Sequence, residues 1–350
     1  MRFAFFGSSL VSSYWNGACT YYRGIVRALH ERGHEVTFYE PDAFERQAHR
    51  DIPDPPYATV VVYDPVDTPD VVAGAEGFDV VVKTSGVGVA DDVLEAAVLE
   101  LEGLRIFWDV DAPATLATME ADPHTPLRSL VPDYDLVLTY GGGDPVVERY
   151  RAIGARRCVP VYNALDPATH HRVAPDPRFA ADLAFLGNRL PDREARVEEF
   201  FFQAVRLLPR RSFLLGGNAW EGRAGADNLR YLGHVGTESH NALNCTPLAV
   251  LNVSRESMAA NGWSPATRVF EAAGAGACLI TDAWEGLELF LEPGKEVLVA
   301  RDGAEVASLL DGLEPDQAAA IGGAAMERLR AEHTYAQRAE LVEETLAVVA

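Results

Sequence analysis

Lysine is nearly missing from this chain: Lys83 and Lys295 are the only two, and the other cations are arginines. Cations as a whole are scarce, with 30 basic against 52 acidic residues and a formal net charge of −22. Such a surface repels phosphate backbones and anionic lipid headgroups, so neither nucleic acid nor a membrane is expected as partner. Cysteine is also sparse. Cys19, Cys158, Cys245 and Cys278 lie far apart, without metal-ligand spacing, which fits a reducing cytoplasm. No apolar run approaches the ~20 residues of a membrane span. No signal peptide is expected either, because Met1-Arg2 leads directly into an apolar strand. The glycine fingerprint G-x-G-x-x-G is missing after the first strand, which argues against a dinucleotide oxidoreductase. No Ser-His-Asp or Cys-His set stands out, and the histidines, His170-His171 included, lack zinc spacing. No metal is therefore expected. There is no internal repeat and no low-complexity segment.

What the chain does have is alternation. At 350 residues, 48% of them hydrophobic, it can build two separate cores. Apolar strands are expected at residues 2–6, 35–39, 59–63, 80–83, 105–108, 134–139 and 158–161, with helices between several of them. A Pro- and Asp-rich stretch at 163–178 follows and reads as a hinge. Alternation then resumes, with strands at 182–186, 212–215, 229–232, 248–253 and 278–281 and helices at 192–207, 239–244, 265–273, 304–311, 315–332 and 335–349. The expected fold class is α/β: two doubly wound, Rossmann-like domains at 1–164 and 179–333, a linker at 165–178 and a final helix at 334–350. In such sheets ligands sit beyond the carboxyl ends of strands.

The most informative stretch is 248–282, read as strand, loop, helix, strand. Asn261-Gly262-Trp263 leads into Ser264-Pro265, with Ser264 suited to N-cap and Pro265 to the first helical position. A helix N-terminus offers free N–H groups to an anion. Thr267 and Arg268 fall in the first turns, and the forked donors of arginine match a phosphate. Glu271 lies one turn beyond Thr267, placed to accept from ribose hydroxyls if a diphosphate occupies the helix start. The bland alternative is a capped core helix with a surface Arg268–Glu271 pair.

The segment NGWSPATRVFEAAGAGACLITDAWEGLELFLEPGKEVLV resembles the group 1 glycosyltransferases of GT-B fold, in the version found in CgeB-like spore-maturation proteins. NGACTYYRGIVRALHERGHEVTFYEPDAF resembles the amino-terminal domain of the same family. The resemblance implies an acceptor-side first domain and a second domain that binds a nucleoside diphosphate sugar. The two face each other across a cleft, and the last helix packs back on the first domain. No tightly bound cofactor is implied beyond the nucleotide sugar, which is the donor substrate. The resemblance implies that Glu271 binds the ribose. Many relatives carry a second Glu eight positions earlier, where this chain has Trp263. Arg193 matches the basic residue that meets the diphosphate, with Arg189 and Arg196 beside it. His234-Val235, in YLGHV, falls at the base, and Arg255 and Asn261 border the helix. Asp282 and residues 284–286 follow the next strand, at the sugar or simply at a turn. The first loop brings Gly7, Ser8, Asn16, Gly17, Tyr21 and Arg23 toward the acceptor.

Asp109-Val110-Asp111 follows the strand at 105–108. As a D-x-D it invites a metal-diphosphate reading, which the two-block layout disfavours. The pair also suits catalysis, with Asp111 as general base and Asp109 as orienter or cap of the next turn. The expected function is transfer of a sugar, without metal, to an acceptor the sequence does not identify. The alternatives are a nucleotide-sugar epimerase of the same fold and a non-catalytic spore-coat or assembly protein.

Overall fold

The structure, a computed structural model, describes residues 1–223 and 225–349. Apolar runs form its central strands, whose side chains are buried on both faces, as parallel sheets require. The strands are β1 (Arg2–Phe6), β2 (Glu35–Pro41), β3 (Thr59–Tyr63), β4 (Val80–Thr84), β5 (Leu104–Asp109), β6 (Leu136–Thr139) and β7 (Cys158–Pro160). They continue with β8 (Leu183–Leu186), β9 (Phe213–Gly216), β10 (Leu229–Gly233), β11 (Ala249–Asn252), β12 (Leu279–Asp282) and β13 (Leu298–Ala300).

They make two parallel sheets, ordered β3-β2-β1-β4-β5-β6-β7 and β10-β9-β8-β11-β12-β13. Both run outward from a first strand and then reverse. This places a switch point between β1 and β4 in one sheet and between β8 and β11 in the other. The chain divides accordingly into two compact units. One is Met1–Asn163 with the terminal helix Tyr335–Val349; the other is Ala164–Thr334.

In the first unit, β1 and β4 are the centre of a core that includes Phe6, Tyr39, Val81, Phe107 and Tyr150. The terminal helix lies on helix Cys19–Glu31, where the Tyr335 ring covers Gly24 and Glu343 pairs with Arg32 and His34. In the second unit, Phe185, Phe201, Phe213, Leu251 and Ile280 lead the core. Helix Pro191–Val197 runs on through a π turn at Glu198–Phe202 into Gln203–Leu207.

Several elements depart from expectation. Helices Thr68–Ala73, Ala112–Ala121 and Glu256–Asn261 and strand β13 were not anticipated. Ala112-Pro113 puts proline at the start of a helix, a signal readable in hindsight. The stretch expected as a hinge is hydrogen-bonded to the rest of the second unit. Leu165 N–H donates to His333 O at 2.8 Å, Asp176 N–H to Thr246 Oγ1 at 2.9 Å, and Val173 N–H meets Cys245 Sγ at 3.4 Å. No helix among the described residues is long and apolar enough to cross a membrane.

Candidate functional site

The loops after β8 and β11 emerge at the switch point of the second sheet. The β11 loop continues as helix Glu256–Asn261, a sharp turn, and helix Thr267–Gly274. At the turn Gly262 takes φ +70°, which glycine tolerates without strain. Trp263 follows at φ +42°, a conformation most side chains avoid. Its N–H donates to Glu285 O at 2.6 Å, and its indole lies over Gly286, where a Cβ would come within 2.2 Å of the ring.

The helix N-cap is Ala266, not Ser264. Ser264, buried at 4% exposure, therefore caps nothing, and its Oγ has no hydrogen-bond partner among the described residues. Arg268 Nε and Nη1 are also buried without a hydrogen bond among the described residues. The nearest charge to Nη1 is Glu271 Oε2 at 3.4 Å. The Arg268–Glu271 pair is thus buried rather than a surface pair, with side chains 14% and 9% exposed. Burial pushes the Glu271 carboxyl up, but Arg268, His170 and His240 outweigh it and hold the group below its ordinary range. Buried donors lacking a partner are costly and mark a place where a ligand's acceptors fit.

Other expected residues fall around this centre. Arg193 lies on helix Pro191–Val197, and its guanidinium approaches Gly187 at the end of β8. Arg255 pairs with Asp192 at 2.6 Å. Asn261 Nδ2 donates to Gly262 O at 3.1 Å, and Thr267 is half-buried in the first turn. His234 is exposed, whereas Val235 is buried and its carbonyl lies 3.3 Å from His240 Nε2. Arg189 pairs with Glu194. Arg196 donates to Asp282 Oδ2 at 2.7 Å, and that carboxylate, fully buried, also accepts from Ser254. Asp282 is therefore held in the framework by Arg196 and Ser254.

The structure also corrects the reading of scattered histidines. His170, from the 163–178 segment, and His240 converge on Glu271, with one ligand atom of each within 4.8 Å of the others. Burial, Arg268 and His170 push the His240 imidazole down to about 4 against the opposing effect of Glu271. Nothing in the spacing of 170, 240 and 271 signals this meeting.

In the first unit, Asp109 is fully buried. Its oxygens accept from Ser85 Oγ at 2.7 Å, Thr115 Oγ1 at 2.9 Å, Asp111 N–H at 3.0 Å and Tyr150 Oη at 2.5 Å. Burial raises its pKa against these donors. Asp111, half-buried, is the N-cap residue of helix Ala112–Ala121.

The residues expected near an acceptor form the scaffold of the first loop. Tyr21 is in the core, taking a hydrogen bond from Trp108 Nε1 and donating to Val161 O. Arg23 Nε donates to Leu10 O at 2.8 Å, and its fork holds Asp51 at 2.6 Å. Asn16 accepts from Ser8 Oγ and donates to the carbonyls of Ser9 and Ser12. Gly7 N–H donates to Tyr39 O, Ser8 is buried, and Gly17 is exposed.

Two Rossmann-like parallel sheets of this order define the GT-B fold. Residues 193–344 match the family model described as Glycosyl transferase-like. Similar solved structures include a sucrose-phosphate synthase from Thermosynechococcus elongatus, 12% identical with TM-score 0.73, covering 100% of this chain and 99% of that one. HepE from Anabaena, in complex with UDP and glucose, is 14% identical with TM-score 0.67 over 99% and 100% of the two chains. AviGT4, a glycosyltransferase involved in avilamycin A biosynthesis, is 20% identical with TM-score 0.62 over 98% and 96%. None of the curated proteins matches the chain.

Proposed function

We propose that the chain is a glycosyltransferase. It takes a sugar from a nucleoside diphosphate donor bound on the second unit and passes it to an acceptor met by the first. The observation that carries this is the helix start at Thr267. Arg268 there has two buried nitrogens without hydrogen bonds among the described residues, Ser264 Oγ is likewise unbonded, and Glu271 stands one turn on. A diphosphate supplies the acceptors these donors lack, at the positive end of the helix dipole. The attached ribose then reaches Glu271, and the backbone at His234-Val235 faces the base. Arg193, Arg255, Asn261, Gly262, Trp263 and Thr267 complete the donor site. The motif NGWSPATRVFEAAGAG supports a place among the CgeB-like proteins.

Transfer runs without a metal, the diphosphate charge being met by Arg268, Arg193 and the helix start. Full loss of turnover in chelator, restored by magnesium or manganese, would overturn this. Asp111 is the carboxylate nearest the acceptor. The high negative charge and four free cysteines support a soluble cytoplasmic enzyme that binds neither nucleic acid nor membranes.

UDP is the first nucleotide to test, because a similar structure carries it. Glu271→Gln should weaken UDP binding by about 1–3 kcal/mol in calorimetry while the fold stays intact. Unchanged affinity would remove Glu271 from the donor site. UDP release from UDP-glucose that rises with added acceptor separates transfer from epimerisation and from a non-catalytic role.

A further inference from the structure

Three side chains from three separate segments meet at Glu271. His170 approaches from the 163–178 segment, and His240 opens helix His240–Cys245. His170 Nε2 lies 3.9 Å from Glu271 Oε1, while Oε2 of the same carboxylate faces Arg268 at 3.4 Å. The two oxygens thus have separate roles, one turned to the imidazole and one anchored by a guanidinium.

Both imidazoles are held by a neighbour. His170 Nδ1 lies 3.0 Å from Thr169 Oγ1, and His240 Nε2 lies 3.3 Å from Val235 O. Metal-bound histidines are oriented in this way, by a hydroxyl, carbonyl or carboxylate on the ring. Two imidazoles with one carboxylate is also the donor set of open zinc sites, which keep a further position for water or substrate. Tetrahedral bonds of 2.0–2.1 Å set ligand atoms about 3.4 Å apart, so the His170–Glu271 separation has to shrink by only about half an ångström.

We propose that His170, His240 and Glu271 form a binding site for a divalent transition-metal ion of the zinc type, with Glu271 contributing Oε1. Arg268 lowers the affinity by its charge but fixes the carboxylate that the ion needs. If Glu271 also holds the donor ribose, as proposed above, ion and nucleotide claim one carboxylate and exclude each other. The ion then acts as an inhibitor whose release opens the donor site.

The test is a calorimetric titration of the chelator-treated full-length chain with zinc, without nucleotide. One ion should bind per chain. His170→Ala and His240→Ala should each weaken binding at least about tenfold, with circular dichroism confirming that both variants fold. His171→Ala, outside the cluster, should keep wild-type affinity. Should His240→Ala fail to fold, His170→Ala alone decides the question. Absence of zinc binding by the folded wild type, or equal affinity in wild type and His170→Ala, overturns the site. A repeat at saturating UDP separates the two readings. Weaker apparent zinc affinity, beyond what zinc chelation by UDP in a protein-free control titration accounts for, supports both. Unchanged zinc affinity, still lost in the histidine variants, keeps the metal site and removes Glu271 from the ribose.

Discussion

Asp109 accepts from groups 2, 6, 24 and 41 residues away in sequence. It ties the end of β5 to the start of the next helix and to Tyr150. Asp109→Ala leaves the Ser85 and Tyr150 hydroxyls without their acceptor. Denaturant unfolding should show a loss of about 2–4 kcal/mol in the first unit. Asp111→Asn should leave stability close to wild type and cut turnover by about 10²–10⁴-fold if Asp111 is the base. A rate within a few-fold of wild type for Asp111→Asn, with donor affinity unchanged, would end its catalytic assignment. The D-x-D pattern, with Asp109 as orienter or cap of the next turn, was legible in the sequence, but its burial against Ser85 and Tyr150 was not, because those partners are distant in the chain. The same holds for Ser264. Its type and place suit a helix cap, and only the turn at Gly262-Trp263 shows that the helix begins later. Arg268 and Glu271 were legible because both lie on one helix, where spacing alone sets the shared face.

At the scale of elements, strands and the longer helices could be read directly, since burial on both faces gives continuous apolar runs. Helix Pro315–Glu332 has its proline at the first position and helix Tyr335–Val349 its apolar spacing, and both occupy their expected residues. Shorter helices were missed where loop-forming residues lead into them. Two packings make measurable demands. An alanine at Gly24 would put its Cβ 2.2 Å from the Tyr335 ring, so Gly24→Ala should cost about 1–3 kcal/mol in unfolding experiments. Trimming the partner, in Gly24→Ala/Tyr335→Leu, should restore part of that.

The second packing is the Lys83 cluster at the end of β4. Lys83, fully buried, meets Asp91 at 2.6 Å and Glu95 at 3.6 Å. Burial pushes Glu95 up to about 7, against Lys83 and with Asp91 and Asp92. Below its ordinary value near 4.5, folded and unfolded chains both hold this proton. As pH rises toward 7 the unfolded chain releases it first, so this group's contribution to stability falls through that window and then levels. Glu95→Gln should therefore flatten the profile and gain about 1–3 kcal/mol at pH 8 relative to wild type, with little change at pH 4. An unaltered pH profile would show that Glu95 titrates alike in the folded and unfolded chains.

For the whole molecule, two sheets of the same order account for two cores, and the composition anticipated as much. Nucleotide binding should reinforce them unequally. At 100 times its dissociation constant a ligand adds roughly 2.7 kcal/mol to the state that binds it. Hydrogen exchange with UDP should slow in residues 254–275 of the second unit and change little in β1 to β7. Equal protection across both units would count against a donor site confined to the second.

The stitched ends of the second unit carry one more consequence. Leu165 and Thr334 form a parallel bridge, so the chain enters and leaves this unit at adjacent points. The second unit is, in effect, inserted into the first just before its last helix. A ribosome would finish all of Ala164–Thr334 before making Tyr335, which fills the space over Gly24, or Glu343, which pairs with Arg32. The part begun first is closed last. With the chain held on the ribosome by a C-terminal tether that leaves residues up to Thr334 outside the exit tunnel, the second unit should already resist protease while the first is still cleaved, and resistance of the first should follow only when the terminal helix clears the tunnel.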